Sequence, residues 1–334
     1  MSNHIAPRPV LVAGAGKMGR EHAKVLLALG CDVTVIDCNA GNAAALAAEG
    51  GIKVIHADVV AELDRGREVP EEAVVSVTVA QHLRVCRALI ERGCRRILLE
   101  KPGALNLAEL RAIDAAAAAA GAEVRIAYNR RKYASVQRAR AMIEEDGGPI
   151  SVRFDFTEVS DRIAKLKNGP EEKANWFFLN STHVIDLAFF LAGEPQSLHA
   201  ETLSGTAWHP LGAVFVGHGV TGRGAAFAYH ADWLGPGRWG VEVVTKNRRL
   251  ILQPLEELYY QDKSGFEIKP VAIDDAVDRR FKAGLYDQMR AFLAGGDGDL
   301  KTLTEQIQSW RWYERIVVPH GRAMLSEPER VLSA

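Results

Sequence analysis

Cysteine is scarce in this chain: its 334 residues hold four, Cys31, Cys38, Cys86 and Cys94. None stands in a Cys-x-x-Cys pair, so neither a disulfide framework nor a zinc site is indicated, and reduced thiols in a cytoplasmic protein are expected. An excess of one charge is missing too. The 41 Lys and Arg against 42 Asp and Glu leave a formal net charge of −1, without the basic surplus that nucleic-acid and membrane-surface binders carry. No apolar run is long enough to span a bilayer. The opening stretch "MSNHIAPRPVLVAGAG" lacks the charged and apolar regions of a secretion signal. These absences lead to the expectation of a soluble protein with no metal, nucleic-acid or membrane partner. What is present is an ordinary globular composition, 48% hydrophobic and 25% charged, at a length that suggests about two domains, each able to bury a core.

Short β-branched runs alternate with amphipathic stretches through the first part of the chain. "PVLVAGAG" is followed by "KMGREHAKVLLALG" and "DVTVID", then by "KVIHA", "AVVSVTV", "LRVCRALIERG", "RRILLEKP", "LAELRAIDAAAAAAG" and "EVRIAYN". Strand and helix in alternation imply a doubly wound parallel sheet covered by helices. After about residue 128 the pattern becomes a helix at "SVQRARAMIEEDG" and then several strands separated by Gly-rich turns. That reads as an α+β domain with an open, largely antiparallel sheet. The expected division is therefore a dinucleotide-binding domain over 1–127 and a substrate-binding and oligomerisation domain over 128–334.

"GAGKMG" places Gly14, Gly16 and Gly19 in G-x-G-x-x-G spacing, with Lys17 and Met18 between, at the passage from strand to helix. The first glycine permits the tight turn, the second admits a pyrophosphate against the backbone, and the third lets helix and strand pack closely. The helix start then offers N–H groups and a dipole to the anion. Asp37 closes the second strand about twenty residues on, where a carboxylate accepts both ribose hydroxyls and repels a 2′-phosphate. NAD is expected over NADP. The plainer alternative is a set of turn glycines without a ligand.

Glu100, Lys101 and Pro102 follow the fifth strand at its carboxyl end, where open parallel sheets place their ligand crevice. Together with "GAGKMG", "SVTVAQH" and "THVIDL", this EKP signature resembles the glucose–fructose oxidoreductase/inositol dehydrogenase family, called Gfo/Idh/MocA, over nearly the whole chain. The resemblance implies a Rossmann domain joined to an open-faced sheet that mediates dimers or tetramers, and hydride exchange between a nicotinamide and a sugar or cyclitol carbon. It also implies that Lys101 reaches the substrate hydroxyl and the nicotinamide ribose, with Glu100 beside it at the cofactor and Pro102 after a cis bond. Thr78 and His82 match the loop that lies along the cofactor. His183 matches the catalytic acid/base, and Asp186 the acid one turn later. One departure stands out: the aspartate that many members carry four residues before the histidine is Leu179 here.

"LNSTHVIDL" reads as a helix start with Asn180 or Ser181 as N-cap. That places His183 in the first turn, where the helix dipole disfavours imidazolium and leaves a neutral base for an alcohol proton. The bland alternative is a hydrogen-bonded His183–Asp186 structural pair. Tyr128, Arg130 and Arg131 in "YNRRKYASV" either line the substrate cleft, with an arginine on a phosphate or carboxylate, or form a solvated basic helix start. Arg162, Lys165, Lys167 and Trp176 lie in a polar loop, either a specificity loop or a solvated charge run. Tyr286 and Gln288 offer sugar contacts, Asn180 a further one, while Trp208, Trp233 and Trp239 read as packing for the sheet or an interface.

The reading is an NAD-dependent oxidoreductase acting on a secondary alcohol of a sugar, cyclitol or nucleotide-sugar, as a homodimer or homotetramer. Lys101 and His183 move the proton and steady the oxyanion. Two rivals stand beside it: an enzyme that uses NAD transiently to cleave a glycosidic bond, and a non-catalytic dinucleotide-binding subunit.

Overall fold

Four apolar residues in a row, Val10 to Ala13, are buried in the first strand, as a strand covered on both faces requires. The computed structural model describes residues 7–296 and 298–317. The chain divides into two compact units. The first comprises Met1–Arg138 and Ala272–Gln308, the second Ala139–Val271 and Ser309–Ala334.

Along the chain, the first unit runs β1 (Pro9–Ala13), α1 (Lys17–Ala28), β2 (Asp32–Asp37), α2 (Ala40–Ala47), β3 (Lys53–His56), α3 (Val59–Asp64), β4 (Glu72–Val75), α4 (His82–Glu91), β5 (Arg96–Leu99), α5 (Leu107–Ala120) and β6 (Glu123–Ile126). The Ala tract lies inside α5, which Asn106 caps through a 2.9 Å bond from the Glu109 amide and Gly121 ends in the left-handed region. The chain crosses to the second unit within α6 (Ala134–Glu145). There follow β7 (Ser151–Asp155), α7 (Ser160–Ala164), α8 (Pro170–Ala174), α9 (Thr182–Ala192), β8 (Pro195–Leu203), β9 (Val214–Thr221), β10 (Ala226–Asp232), β11 (Gly240–Val244), β12 (Arg248–Leu252), β13 (Tyr259–Asp262) and β14 (Ile268–Pro270). It returns through α10 (Ala276–Arg280), α11 (Leu285–Ala294) and β15 (Lys301–Thr302), and α12 (Leu303–Val317) follows.

The first unit's sheet has the order β15-β6-β5-β4-β1-β2-β3, parallel throughout except for the antiparallel edge strand β15. Strand order reverses between β1 and β4, which makes their carboxyl ends the switch point where such sheets bind ligands. The expected boundary at 127/128 is displaced in two ways. Residues 128–138 stay with the first unit, and 272–308 come back to it. The cause is burial: Leu285, Met289 and Phe292 of α11 share a core with Val25 and Leu26 of α1.

The second unit's sheet has the order β14-β13-β12-β11-β7-β10-β9-β8. Its pairings are antiparallel except β7 with β10, where Phe154 stands opposite Tyr229. Residues on β10 alternate exposed and buried, so one face is open to solvent. The other face takes α9, whose Phe189 ring meets Phe154 at 5.6 Å and Phe227 at 5.3 Å.

Candidate active site

Gly14 lies at φ +102°, and a Cβ there would stand 2.6 Å from Ser76 O, so the turns after β1 and β4 touch at the switch point. A Cβ on Gly19 would lie 1.9 Å from Gly14 O, so α1 packs on the loop with no room for a side chain. Gly16 differs, for a Cβ there meets nothing within 4 Å. It is also the N-cap of α1, with no side-chain cap and no acidic residue in the first turn. The leading N–H groups and the open space above Gly16 suit an anion. Lys17, exposed, and Met18, partly buried, begin the helix. The Asp37 carboxylate accepts the Ala15 amide at 2.5 Å and the Asn39 amide at 2.6 Å. It therefore braces the glycine loop while keeping lone pairs for ribose hydroxyls. These residues fit NAD.

The neighbouring turns carry the other first-unit groups. Thr78 is exposed after β4 and caps a short 3₁₀ turn. His82 is buried, with Nδ1 3.1 Å from Gly103 O and Nε2 3.2 Å from Val77 O. It ties the β4 turn to the β5 turn from inside, and burial holds its pKa below the usual histidine value. Lys101 is half-buried just past β5, and the Lys101–Pro102 peptide is cis. Glu100 beside it is buried, and its Oε1 lies 2.8 Å from Nε2 of the fully buried His22. Burial pushes the Glu100 carboxyl upward, but the His22 hydrogen bond and the charges of His22, Lys101 and His82 outweigh it, so its pKa falls below the ordinary value. From α12, the buried Gln306 donates to Pro102 O at 2.8 Å and to the Tyr128 hydroxyl at 3.3 Å. Tyr128 is only 1% exposed, with the Lys301 ammonium 5.5 Å over its ring. Through this shared amide it supports the Lys101 turn.

Sequence reasoning missed His22 and Gln306. His22 had a signal: it falls on the apolar face of α1 with Ala23 and Leu26, where an unpartnered imidazole would be costly.

In the second unit, the expected helix start at Asn180 or Ser181 is overturned. A π-helical turn, Phe177–Ser181, already leads into α9, and Ser181 has helical dihedrals with no side-chain cap. His183 therefore does not sit at a fresh helix start, and the dipole argument for its neutrality loses its basis. The Asn180 amide instead donates to Glu158 Oε1 at 2.7 Å, with Ser181 Oγ 3.5 Å from the same oxygen. Glu158, buried three residues past β7, brings a carboxylate to the turn that holds Leu179. His183 is 5% and Asp186 2% exposed, and the Trp239 ring lies 6.1 Å from the His183 ring.

Trp239 thus stands apart from Trp208 and Trp233, which stack at 5.7 Å and pack the sheet. Arg162, Lys165 and Lys167 are exposed on and after α7, a solvated charge run. Tyr286, partly buried, stacks on Phe281 at 5.3 Å, while Gln288 is fully buried. Arg130 Nη1 donates to Asn129 Oδ1 at 3.2 Å, and Arg131 is buried. Among the described residues no group of three or more His, Cys, Asp or Glu is placed to hold a metal, and no helix is long and apolar enough to cross a membrane.

A search of curated proteins finds no match. Solved structures share the fold. An oxidoreductase from Agrobacterium radiobacter, in complex with NAD+, L-tartaric acid and magnesium, aligns with a TM-score of 0.77 at 15% identity, over 95% of this chain and 98% of its own. UDP-N-acetylglucosamine 3-dehydrogenase from Acidithiobacillus ferrooxidans aligns with a TM-score of 0.72 at 16% identity, over 93% and 97%. An inositol dehydrogenase homologue complexed with NAD+ from Azotobacter vinelandii aligns with a TM-score of 0.72 at 17% identity, over 94% and 95%. Residues 8–128 match the model of the oxidoreductase family with NAD-binding Rossmann fold. The glycine turn, the acid after β2 and the strand order agree with that match, so residues 8–128 form an NAD-binding Rossmann domain similar to those of that oxidoreductase family.

Proposed function

We propose that the protein is an NAD-dependent dehydrogenase that exchanges hydride with a secondary alcohol carbon of a sugar, cyclitol or nucleotide-sugar. The observation that carries this reading is the convergence of the uncapped glycine turn, Asp37 and the Lys101 turn at the carboxyl edge of one parallel sheet. Bound nicotinamide supplies the hydride acceptor. The chain's own groups do the rest. The glycine turn and the start of α1 hold the pyrophosphate through backbone N–H groups. Asp37 takes the adenosine ribose and disfavours a 2′-phosphate, so NADP is the weaker cofactor. Thr78 flanks the cofactor from the β4 turn. The Lys101 ammonium steadies oxygen charge as the hydroxyl proton leaves, and His183 is the group that takes that proton, with Glu158 and Asp186 supplying the nearby carboxylates. Arg130, Asn180 and Tyr286 contact substrate. The sugar-type dehydrogenases among the structural relatives favour this substrate class.

The open face of the second unit's sheet, with Leu203, Val220 and Val244 exposed, suits association of copies into a homodimer or homotetramer, and the four unbridged cysteines suit the cytoplasm.

The test is turnover of a polyol and nucleotide-sugar panel followed by NADH absorbance. Lys101→Met and His183→Asn are each expected to lower kcat by about 10²–10⁴-fold with the melting temperature retained. Wild-type turnover in both variants sinks the assignment.

A further inference from the structure

Between Glu100 and Ala104, Lys101 is the one residue that is not buried. Its neighbours on both sides are held by side chains from three different helices. From α1, His22 Nε2 lies 2.8 Å from Glu100 Oε1. From α12, Gln306 Nε2 donates to Pro102 O at 2.8 Å. From α4, His82 Nδ1 lies 3.1 Å from Gly103 O. His22 and Gln306 are fully buried and His82 is 1% exposed, so no water competes for these bonds and losing one partner is costly. Gly103 closes the turn at φ +96°, where a Cβ would stand 2.8 Å from Leu110 Cδ2 and 3.0 Å from Ile126 Cδ1. The backbone that carries Lys101 therefore has little freedom.

Two of these three holders leave a polar atom stranded. His22 Nδ1 and Gln306 Oε1 are buried without a hydrogen-bond partner among the described residues. An aliphatic side chain at either place would fill the space without that loss, so packing alone does not account for two such atoms around one turn. We propose that His22, Gln306 and His82 are positioning residues for Lys101. They fix the backbone on either side of it, so that its ammonium keeps one place relative to the cofactor. His22 makes the link direct, because it belongs to α1, the helix whose start is assigned to the pyrophosphate. This rests on the dehydrogenase reading above. A reacting group displaced by about 1 Å loses roughly a hundredfold in rate, which is the scale on which such a clamp acts.

Gln306→Met keeps the bulk of the side chain and removes its donor; His22→Leu does the same on α1, while His22→Gln retains a donor for Glu100. In the folded full-length protein, Gln306→Met and His22→Leu are each expected to lower kcat by about ten- to a hundredfold, with KM and NAD affinity unchanged. His22→Gln should recover most of the loss. In a Lys101→Met background, adding Gln306→Met should lower the residual kcat by less than about twofold, because no ammonium is left to aim. Wild-type kcat in folded Gln306→Met, or an equal further loss without Lys101, overturns the proposal. If Gln306→Met does not fold, Gln306→Asn, which keeps the amide but shortens its reach, takes its place. A second readout is independent of turnover: acetylation of Lys101 by acetic anhydride, followed by peptide mass. Its rate should change by at least about threefold in Gln306→Met as the turn loosens, with exposed Lys24 as the unchanged reference; an unchanged Lys101 rate overturns the clamp. A changed rate in a protein that forms no NADH from any polyol or nucleotide-sugar upholds the clamp and instead fails the dehydrogenase reading.

Discussion

Replacing His22 by leucine keeps most of the volume on the inner face of α1 and removes the one side-chain hydrogen bond that the Glu100 carboxylate makes among the described residues. The pair is closed from water: His22 is 0% and Glu100 8% exposed, at 2.8 Å. With Glu100 ionised, the proton of the bond must reside on His22 Nε2, and His22 Nδ1 is buried without a partner among the described residues. A hydrogen bond to a charged group contributes about 1.5–3 kcal/mol, and stranding a buried charge raises the loss to about 3–5 kcal/mol. About 3 kcal/mol is therefore expected for His22→Leu at pH 7, with Lys101 nearby softening the upper figure. The double variant His22→Leu, Glu100→Gln removes both ends, and should lose less than the sum of the single changes by at least about 1 kcal/mol. The pH dependence has a defined sign. In the wild type the folded carboxyl pKa lies below its unfolded value, so the pair stabilises above about pH 4.3 and loses that contribution as pH falls through the folded value. In the variant, burial is left largely unopposed and lifts the pKa above the unfolded value. That contribution exists only in acid and disappears as pH rises. The gap between wild type and variant must therefore widen from pH 4 to pH 7. Urea unfolding across that range measures it. A gap that is flat or narrows, or single-variant losses that add without coupling, refutes the account.

The two glycines at α1 should respond oppositely. Gly19→Ala forces a Cβ to 1.9 Å from a carbonyl oxygen and should cost about 1–3 kcal/mol, whereas Gly16→Val should leave the melting temperature near wild type and weaken NAD binding, as fluorescence titration would show. Glu158→Gln keeps an acceptor for Asn180 but loses the charge. Its stability should stay close to wild type while kcat falls by at least about tenfold, equivalent to ~1.4 kcal/mol; unchanged kcat removes Glu158 from the chemistry. Asp146 accepts Thr245 at 2.6 Å, Asn247 at 2.9 Å and Arg248 at 2.7 Å, and these bonds, the one from Arg248 foremost, hold its pKa well below the carboxylate range. Asp146→Asn should cost about 1.5–3 kcal/mol at pH 7 and progressively less below pH 4, read by denaturant unfolding.

The Rossmann half was legible because its signals are local. Gly14, Gly16 and Gly19 punctuate a strand-to-helix turn, and parallel strands such as Val10–Ala13 announce themselves as unbroken apolar runs. The return of the chain was not legible. β15 has two residues, too few for any periodicity, and its pairing of Lys301 with Ile126 is a contact across a long stretch of sequence. The helix start at Asn180 failed for a related reason. A cap residue serves the backbone only if its side chain has no better partner, and Glu158, twenty-two positions earlier, is that partner. The parallel β7–β10 pair inside an otherwise antiparallel sheet likewise carries no mark in either strand.

The split of the first unit into two stretches of chain bears on the order of events during synthesis. Residues 1–138 emerge from the ribosome without the segment that buries the outer side of α1, and without the carbonyls of Phe292 and Leu293 that Arg96 and Arg8 bond. Completion of the first unit waits until Ala139–Val271 have been translated, and the second unit in turn waits for the residues from Ser309 onward. A fragment cut at residue 138 should come off the ribosome sticky and dependent on chaperones, and supplying 272–308 as a separate peptide is the natural way to complete it.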